Sequence, residues 1–476
     1  MIRPQQSKTR DLLNLSGFWD YARAKGNGKE RGFYKSFPSE GKLGVPGSYN
    51  EQVMELYHHF DEIWYQTAFY TAPSWAGRKV FMQFESVCQN AEVWINGTHL
   101  GEHIGPHLPF EFEITDFLRK DGENTLTVLA NGRVEKDSLP PARMDSNDMR
   151  EGWSPTYPAV AYDFFPFSGI HRPVYIYSVS EENHIKSLMV NASHNDGIAT
   201  VNAKVEIDKP MDGEVLFEIE GLQFRAEFSG DNTTEIDFEI QDPRIWDIGQ
   251  GELYTLNATL IKKETTLDHA KCRFGIRNIS IEGNSFLLNG KPVIFKGFGK
   301  HEDFDIIGKG LSHPLVIKDY DLMKWIGANS YRTSHYPYAE EWLDMADELG
   351  VMVISENPFV GLNNRLYNDD ILKKALLVVE EHISRDYNHP SVVMWSLANE
   401  PNSGGSMDTE DKYQSCMNFF KFIIEKTKSI DANRPICYAA HANPKDNQMA
   451  HLFDVLLLNK YYGWYKYTGL LDASTD

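Results

Sequence analysis

The chain has 476 residues, which is enough for about three domains of ordinary size. Its composition, 41% hydrophobic and 24% charged, is that of a soluble globular protein, and no apolar run is long enough to cross a bilayer. The formal net charge of -21 would repel nucleic acid and anionic membrane surfaces, so neither is expected as a partner.

The start of the chain, residues 1–17, has basic residues but no apolar signal core, so a cytoplasmic location is expected. The cysteines are widely spaced and form no Cys-x-x-Cys pair, which predicts free buried thiols. No pattern of metal ligands is visible, and no cofactor is predicted. The four cysteines are Cys88, Cys272, Cys416 and Cys437.

Residues 1–180 are predicted to form a jelly-roll sandwich, because short runs of strand-forming residues alternate there with Gly, Asn, Asp and Pro. Asn96-Gly97, directly after one such run, predicts a hairpin with a primed turn. The clearest predicted strands are Lys79–Phe84, Ala91–Ile95, Asn124–Leu129 and the closing Pro173–Tyr177.

Residues 181–280 show a second β pattern whose length suits an immunoglobulin-like sandwich. Val201–Ile207 alternates cleanly between apolar and polar residues. Glu214–Glu220 alternates except at Leu216, and the turn residues Asp212-Gly213 are predicted to separate these two strands.

From residue 281 to 476 strand and helix patterns alternate, which predicts a (β/α)8 barrel of which about six strands are present. One helix is predicted to bury Trp342, Met345, Ala346 and Leu349 and to stop at Gly350. The predicted strands are Pro292–Gly297, Ala328–Arg332, Val351–Ser355, Val392–Leu397, Pro435–Tyr438 and Asp454–Asn459, and the helices are Ile317–Trp325, Ala339–Leu349, Ile371–Tyr387 and Tyr413–Lys428.

The fourth of these strands ends in an amide and a carboxylic acid, Asn399 and Glu400. Pro401 disfavours the helical region for Glu400, which predicts an extended backbone there. Because catalytic groups of barrel enzymes lie at the carboxyl ends of strands, this carboxyl is a candidate general acid for glycoside hydrolysis. The alternative is that Asn399 or Glu400 simply starts the next helix.

Several longer segments together resemble glycoside hydrolase family 2, most closely its β-glucuronidases, and the resemblance covers nearly the whole chain. The segments are Val45–Asn50, Trp94–Gly97, Ser168–Pro173, Gly299–Asp303, Gly327–Tyr338, Asn399–Pro401 and Asn459–Tyr465.

The resemblance implies a retaining exo-glycoside hydrolase that releases β-D-glucuronic acid from a small or oligosaccharide glycoside. Glu400 would be the general acid/base, which protonates the leaving oxygen and later deprotonates a water molecule. Asn399 would bind the 2-hydroxyl of the sugar. Asp163 would reach the sugar hydroxyls from the jelly roll, although a loop aspartate among aromatic residues is otherwise a turn residue.

The resemblance also implies roles for residues at other strand ends, each beside a structural alternative. Arg332 would stand next to the nucleophile, or form an ion pair within the barrel. Tyr461 would touch the nucleophile, and Tyr465 would contact substrate or pack at the rim. His335 and His301 would line the pocket or be structural histidines.

One departure from the family is important. A retaining enzyme needs two carboxyl groups about 5–5.5 Å apart. In the family the nucleophilic glutamate lies in a Thr-Glu-Tyr-Gly type segment, and an Asn-x-Lys pair binds the substrate carboxylate. No Thr-Glu-Tyr-Gly type segment is found in this sequence, and no Asn-x-Lys follows the tyrosine-rich segment Asn459–Tyr465, where the family has it. We therefore expect a shortened enzyme that is inactive alone, with open sheet edges prone to aggregation.

The connection from Asn357 to Asp370 is short, where some relatives in the family carry a long loop over the pocket. This favours an open site that accepts larger aglycones or glycans. Two other functions remain open: a β-galactosidase or β-mannosidase of the same family, and a non-catalytic carbohydrate-binding protein. Relatives often assemble, so a homo-oligomer is possible.

Overall fold

In a computed structural model of the chain, the structure describes residues 2–24, 26–142, 160–401, 409–441, 449–461, 467–470 and 472. Among these residues, no helix is both long enough and apolar enough to cross a membrane. Three successive β-rich regions follow one another along the chain, and the last one contains the parallel sheet.

The first region is an antiparallel sandwich. A four-stranded sheet in the order β1-β13-β6-β10 and a six-stranded sheet in the order β3-β2-β5-β11-β8-β9 enclose an apolar core, and β4, β12 and β7 pair separately. The elements are β1 (Asp11–Asn14), β2 (Gly17–Arg23), β3 (Gly41–Val45), β4 (Gly47–Ser48), α1 (Tyr49–Gln52), β5 (Glu62–Tyr70), β6 (Arg78–Phe84), β7 (Val87–Cys88), β8 (Asn90–Ile95), β9 (Thr98–Ile104), β10 (Phe110–Glu113), β11 (Glu123–Asn131), β12 (Gly169–Ile170) and β13 (Val174–Ser180).

The predicted turn at Asn96-Gly97 is confirmed. These two residues connect β8 to β9, and Ile95 pairs with Thr98. Their φ angles of 52° and 82° are those of a primed turn, which needs positive φ at both central positions.

The second region is one antiparallel sheet in which β15 pairs with β14, β16 and β17. Apolar side chains alternate along β15 and are buried in the core. The strands are β14 (Ile185–Asn195), β15 (Ile198–Ile219), β16 (Leu222–Gln241), β17 (Tyr254–Lys262) and β18 (Thr265–Phe274).

The predicted turn at Asp212-Gly213 is wrong, because both residues lie inside the long strand β15. The chain reverses later, at Glu220-Gly221, where both φ angles are positive (47° and 86°). The register with β16 shifts between Glu206 and Met211. The turn-forming residues therefore mark a bulge, beyond which β15 pairs with β17 in place of β14.

The third region contains a small antiparallel sheet and then six parallel strands in sequential order, β22 to β27, which confirms about six barrel strands. Four helices alternate with them. The elements are β19 (Ile279–Glu282), β20 (Ser285–Leu288), β21 (Lys291–Pro292), β22 (Gly297–Lys300), α2 (His313–Trp325), β23 (Ser330–Thr333), α3 (Glu340–Leu349), β24 (Met352–Glu356), α4 (Asp369–Asp386), β25 (Val392–Asn399), α5 (Glu410–Ile430), β26 (Ile436–Ala440) and β27 (Val455–Leu458).

Two details of the barrel prediction are wrong. The run Pro292–Gly297 is not the first barrel strand, because Val293 and Phe295 pack into the apolar cluster around Trp246 and the strand begins only at Gly297. Helix α3 does end at Gly350, which has φ of 66°, but Leu349 is 41% exposed and does not belong to the buried face.

The cysteines form no disulfide within the described residues. Cys88, Cys416 and Cys437 are buried as predicted, whereas Cys272 is only half-buried.

Buried polar contacts hold the first region against the end of the barrel where the parallel strands finish. Arg172 follows β12, and its Nη2 donates to Glu302 Oε1 at 2.8 Å. Both side chains are almost completely buried, at 3% and 5% exposure. A Cβ at Gly361, in the connection from β24 to α4, would lie only 2.5 Å from the carbonyl oxygen of Ala161. These contacts fix the position of the segment after residue 160.

Candidate active site

Glu400 directly follows β25, whose eight residues are all buried. Asn399 is still part of β25, and the next helix among the described residues, α5, starts at Glu410 with Thr409 as its cap, so the helix-start alternative for Asn399 and Glu400 is wrong. The predicted extended backbone at Glu400 is also wrong, since its φ is 45°. Hydrogen bonds from Asn399 N to Phe359 O (3.1 Å) and from Glu400 N to Ala439 O (2.7 Å) fix this left-handed conformation. Such a conformation is uncommon outside glycine, and unlike Asn96 and Glu220 this residue does not lie in a hairpin turn.

Two side chains orient the Glu400 carboxyl group. Its Oε1 accepts hydrogen bonds from Tyr461 Oη at 2.6 Å and from Asn459 Nδ2 at 2.8 Å. No described residue donates to Oε2. Burial and the bond to Glu400 raise the pKa of Tyr461, which therefore keeps its proton as the donor. One oxygen of the carboxyl group is thus held in place by two donors.

Asn459 was missed as a site residue, although it begins the tyrosine-rich segment from which Tyr461 was chosen. Its Nδ2 also donates to Asn399 Oδ1, at 3.0 Å, so one amide group joins the two residues at the end of β25. The signal was available in the sequence, because Asn459 is the last residue of a predicted strand.

Arg332 lies at the end of β23, and Nη1 donates to Glu356 Oε2 at 2.6 Å. The same nitrogen lies 3.3 Å from Asn399 Oδ1. The structural alternative, an ion pair within the barrel, therefore describes this contact. The guanidinium nevertheless also contacts Asn399, the residue next to Glu400.

Glu356 is the second site residue that sequence reasoning missed. It is the last residue of β24 and is completely buried. Oε1 accepts from His335 Nδ1 at 2.7 Å, and Oε2 accepts from Ser396 Oγ at 2.6 Å as well as from Arg332. Burial opposes ionisation, but Arg332, His335 and Ser396 outweigh it and lower the pKa of Glu356 to about 2. An acid two residues beyond the apolar run Val351–Ile354, separated from it by Ser355, was the available signal.

The first region supplies one wall of the site. The ring of Phe164 lies 5.2 Å from that of His301 and 6.2 Å from that of His335, measured between centroids. The neighbouring Asp163 is exposed, and its charge is one of the smaller causes that raise the pKa of Tyr461. The structure thus brings Asp163 towards the ends of the barrel strands.

His301 Nδ1 lies 3.2 Å from the Tyr336 hydroxyl. Burial and the nearby positive charge of Lys309 lower the pKa of His301 to about 3, so this imidazole is neutral at physiological pH. Tyr465, the remaining predicted site residue, lies outside the described residues.

One group of possible metal ligands occurs in the described part of the chain, at the opposite end of the barrel: Asp344, Asp347 and His389. Both oxygens of Asp344 accept from arginines, Arg3 and Arg273. His389 Nδ1 is hydrogen-bonded to Asp347 Oδ2 at 2.6 Å. These ligand atoms are engaged in ion pairs, and the group is a charge network.

Three family models cover the chain in succession. They are described as glycosyl hydrolases family 2, sugar binding domain, over residues 12–180; glycosyl hydrolases family 2, over residues 170–277; and glycosyl hydrolases family 2, TIM barrel domain, over residues 279–475. The matches follow the order of the three regions. The chain belongs to glycosyl hydrolase family 2.

Within that family the similar proteins are β-glucuronidases. The chain is 35% identical to the β-glucuronidase of Paenibacillus borealis, over 99% of this chain and 80% of the relative. It is 32% identical to that of Homo sapiens, over 99% of this chain and 75% of the relative. A Bifidobacterium dentium β-glucuronidase complexed with coumarin-3-O-glucuronide superposes with a TM-score of 0.91 at 31% identity, covering 100% of this chain and 81% of the other. A Ruminococcus gnavus β-glucuronidase in complex with D-glucuronic acid gives a TM-score of 0.87 at 32% identity, covering 98% and 79%.

Proposed function

We propose that this chain is a retaining exo-acting glycoside hydrolase that releases β-D-glucuronic acid from glucuronides. The observation that carries the proposal is the Glu400 carboxyl group at the end of β25, with Oε1 held by Tyr461 and Asn459. The choice of sugar is supported by the β-glucuronidase relatives, and by the related structures that hold a glucuronide or glucuronic acid. We also propose that residues 1–180, 181–280 and 281–476 form three separate domains.

In this proposal Glu400 is the general acid/base. It donates its proton to the glycosidic oxygen as the aglycone leaves, and later accepts a proton from the water that attacks the sugar. Tyr461 and Asn459 fix the carboxyl orientation through Oε1, so that the proton is transferred at Oε2. A fixed donor matters because proton transfer requires hydrogen-bond reach of the glycosidic oxygen.

Asn399 is proposed to bind the 2-hydroxyl of the sugar. Its Oδ1 already accepts from Asn459 and lies near the Arg332 guanidinium, so its NH₂ group is left as the donor towards a ligand. We propose that Asp163, His335 and Tyr465 contact other sugar atoms. Arg332 is proposed to provide positive charge beside the reacting centre.

Retention also requires a carboxylate nucleophile. Glu356 lies at the same end of the sheet, but it is completely buried and both of its oxygens accept hydrogen bonds, so it is not placed to attack a sugar. The sequence contains no Thr-Glu-Tyr-Gly type segment. We therefore propose that these 476 residues by themselves hydrolyse glycosides poorly while they still bind the sugar.

We further propose that the cleft is open enough for large aglycones. The connection between β24 and α4 packs against the first region through Gly361 and Arg365, whose Nη2 donates to Ala142 O at 3.0 Å. A connection held in this way is turned towards the neighbouring region, and we propose that it does not cover the approach to Glu400.

The test is a calorimetric titration of the chain with D-glucuronic acid, D-galactose and D-mannose, together with turnover of the matching nitrophenyl glycosides. We expect binding of glucuronic acid alone, and any turnover to be confined to the glucuronide and lost in Glu400→Gln. Preference for galactose or mannose would overturn the choice of sugar. Binding with turnover that Glu400→Gln leaves intact would overturn the role of Glu400.

A further inference from the structure

We propose that Glu356 is a positioning residue of the sugar site, which fixes His335 in the Nδ1–H form and holds the Arg332 guanidinium against Asn399. The inference rests on the proposed function for the identity of the ligand. Its own basis is a buried carboxylate that receives three hydrogen bonds from side chains at two other strands.

The proton positions follow from the contacts. An ionised carboxylate only accepts hydrogen bonds, so each of its three partners must donate. Ser396 Oγ and Arg332 Nη1 can always do so. His335 can do so only when Nδ1 carries a proton, because Nδ1 is the nitrogen that lies 2.7 Å from Oε1. Glu356 therefore selects the tautomer of His335 and leaves Nε2 as the nitrogen available to a ligand.

The His335 ring is also confined by its neighbours. Its centroid lies 5.8 Å from that of His301 in an edge-on arrangement, and 6.2 Å from that of Phe164. With the ring packed on two sides and hydrogen-bonded at Nδ1, the direction of Nε2 is set before any ligand arrives. Such preorganisation avoids the cost of ordering the side chain on binding.

The same carboxylate is connected to the proposed acid/base through an unbroken series of contacts. Arg332 joins Glu356 to Asn399 Oδ1. Asn459 then joins Asn399 Oδ1 to Glu400 Oε1. Loss of the charge at Glu356 would leave the largely buried Arg332 cation unpaired, which is strongly unfavourable. Arg332 would then shift away from Asn399.

The rival explanation is that Glu356 only ties the strands together. The chain offers a matched control, since Asp386 is also completely buried and accepts from the arginine next to it, Arg385 (2.6 Å), with His382 at 3.2 Å. Asp386 lies on α4 and has no contact with Asn399 or Glu400 among the described residues. Asp386→Asn should therefore lower stability without affecting the sugar site.

The experiment compares the full chain with Glu356→Gln and Asp386→Asn. Thermal unfolding reports stability, and titration with D-glucuronic acid reports the site. NMR of protein labelled with ¹⁵N-histidine reports the tautomer of His335. We expect both variants to unfold at a lower temperature. Only Glu356→Gln should lose affinity, by about 10- to 100-fold as expected for a lost hydrogen bond to a charged group, and lose the Nδ1–H form.

Equal affinity in wild type and Glu356→Gln, with His335 unchanged, would overturn the proposal. If Glu356→Gln does not fold, the wild-type spectrum still decides, because His335 in the Nε2–H form would contradict the assignment. If the wild type binds no glucuronic acid while its His335 shows the Nδ1–H form that Glu356→Gln loses, the proposed sugar is wrong and the positioning role stands.

Discussion

The two ends of the barrel carry the same residue types in networks with opposite consequences. At the far end, Asp344 and Asp347 are paired with Arg3, Arg273 and His389, and the arginines come from outside the barrel. At the end where the parallel strands finish, Glu356 pairs with Arg332 and His335. Here Nε2 of His335 and Oε2 of Glu400 have no hydrogen-bond partner among the described residues. The difference shows that a network becomes a candidate site through the atoms it leaves unsatisfied.

The far end also contains a cavity. Its volume is about 440 Å³, and its lining includes Arg3, Arg273 and His389. These three side chains are already paired with the carboxylates of Asp344 and Asp347. A cavity therefore does not by itself mark a functional site.

The largest expected effect is the loss of turnover when Glu400 is substituted. Glu400→Gln should reduce turnover of an alkyl glucuronide by about 10²- to 10⁴-fold, because the leaving oxygen loses its proton donor. Steady-state rates in any preparation with measurable activity test this. Affinity for D-glucuronic acid is the control and should stay within about twofold of wild type. Asp344→Asn, a variant at the far end of the barrel, should not lower turnover. If it lowered turnover as much as Glu400→Gln does, the proposed functional difference between the two ends would be wrong.

The second effect concerns the contact that holds the first region against the barrel. Arg172→Met should lower the free energy of unfolding by about 3–5 kcal/mol, since it leaves Glu302 buried without its cation. Denaturant titration measures this. The control is Arg23→Met, which breaks an ion pair of two partly exposed side chains and should cost less than about 1 kcal/mol. Similar losses in the two variants would contradict the buried character of the Arg172 contact.

The third effect is a pH dependence of opposite sign at the two ends. At the far end burial is outweighed by Asp347 and Glu340, which raise the pKa of His389 well above 6.5. The contribution of protonated His389 to the free energy of unfolding is therefore complete below pH 6.5. It is lost as the pH rises through the pKa of His389 in the folded protein. At the other end the pKa of His301 is lowered to about 3, so its stabilisation is present above pH 6.5 and is lost as pH falls towards 3.

Denaturant unfolding between pH 4 and pH 10 tests this pair of slopes, each at most about 1.4 kcal/mol per pH unit. His389→Gln should flatten the alkaline side of the profile alone, and His301→Gln the acid side alone. A variant that flattens the opposite side would show that the histidine has been assigned the wrong charge.

The smallest effect is on Tyr461. Tyr461→Phe removes one of two donors to Glu400 Oε1 and should lower turnover by about 3- to 10-fold, as expected for one hydrogen bond of about 0.5–1.5 kcal/mol. Tyr70→Phe, at an exposed position on β5, is the control and should be neutral. A loss of 100-fold or more would mean that Tyr461 also contacts the reacting sugar.

Local patterns predicted much of this architecture. The turn at Asn96-Gly97 follows from the local backbone preferences of these two residues. The alternation of strands and helices after residue 297 follows from the burial of their apolar side chains. Asp212-Gly213 shows the limit, because the same turn-forming residues also mark a bulge when the flanking strand continues along a new neighbour. Whether β15 lies next to β14 or β17 is determined only by the tertiary structure.

The candidate site was predicted in part for a similar reason. Glu400 and Asn399 were found because an acid and an amide follow a long apolar run. Glu356 follows a run of the same kind, but its partners Arg332 and Ser396 come from the strands on either side. The pairing of these strands, and with it the burial of Glu356, is established only in the folded sheet.

The bridging amide of Asn459 has a consequence for synthesis of the protein. This side chain follows β27, the sixth parallel strand, yet it orients a carboxyl group that emerges from the ribosome almost sixty residues earlier. In a nascent polypeptide with only the first five parallel strands folded, the Glu400 backbone can already bond to β26, but its carboxyl group lacks the donors Asn459 and Tyr461. The proposed proton donor is therefore oriented late, after the strand that carries it has formed.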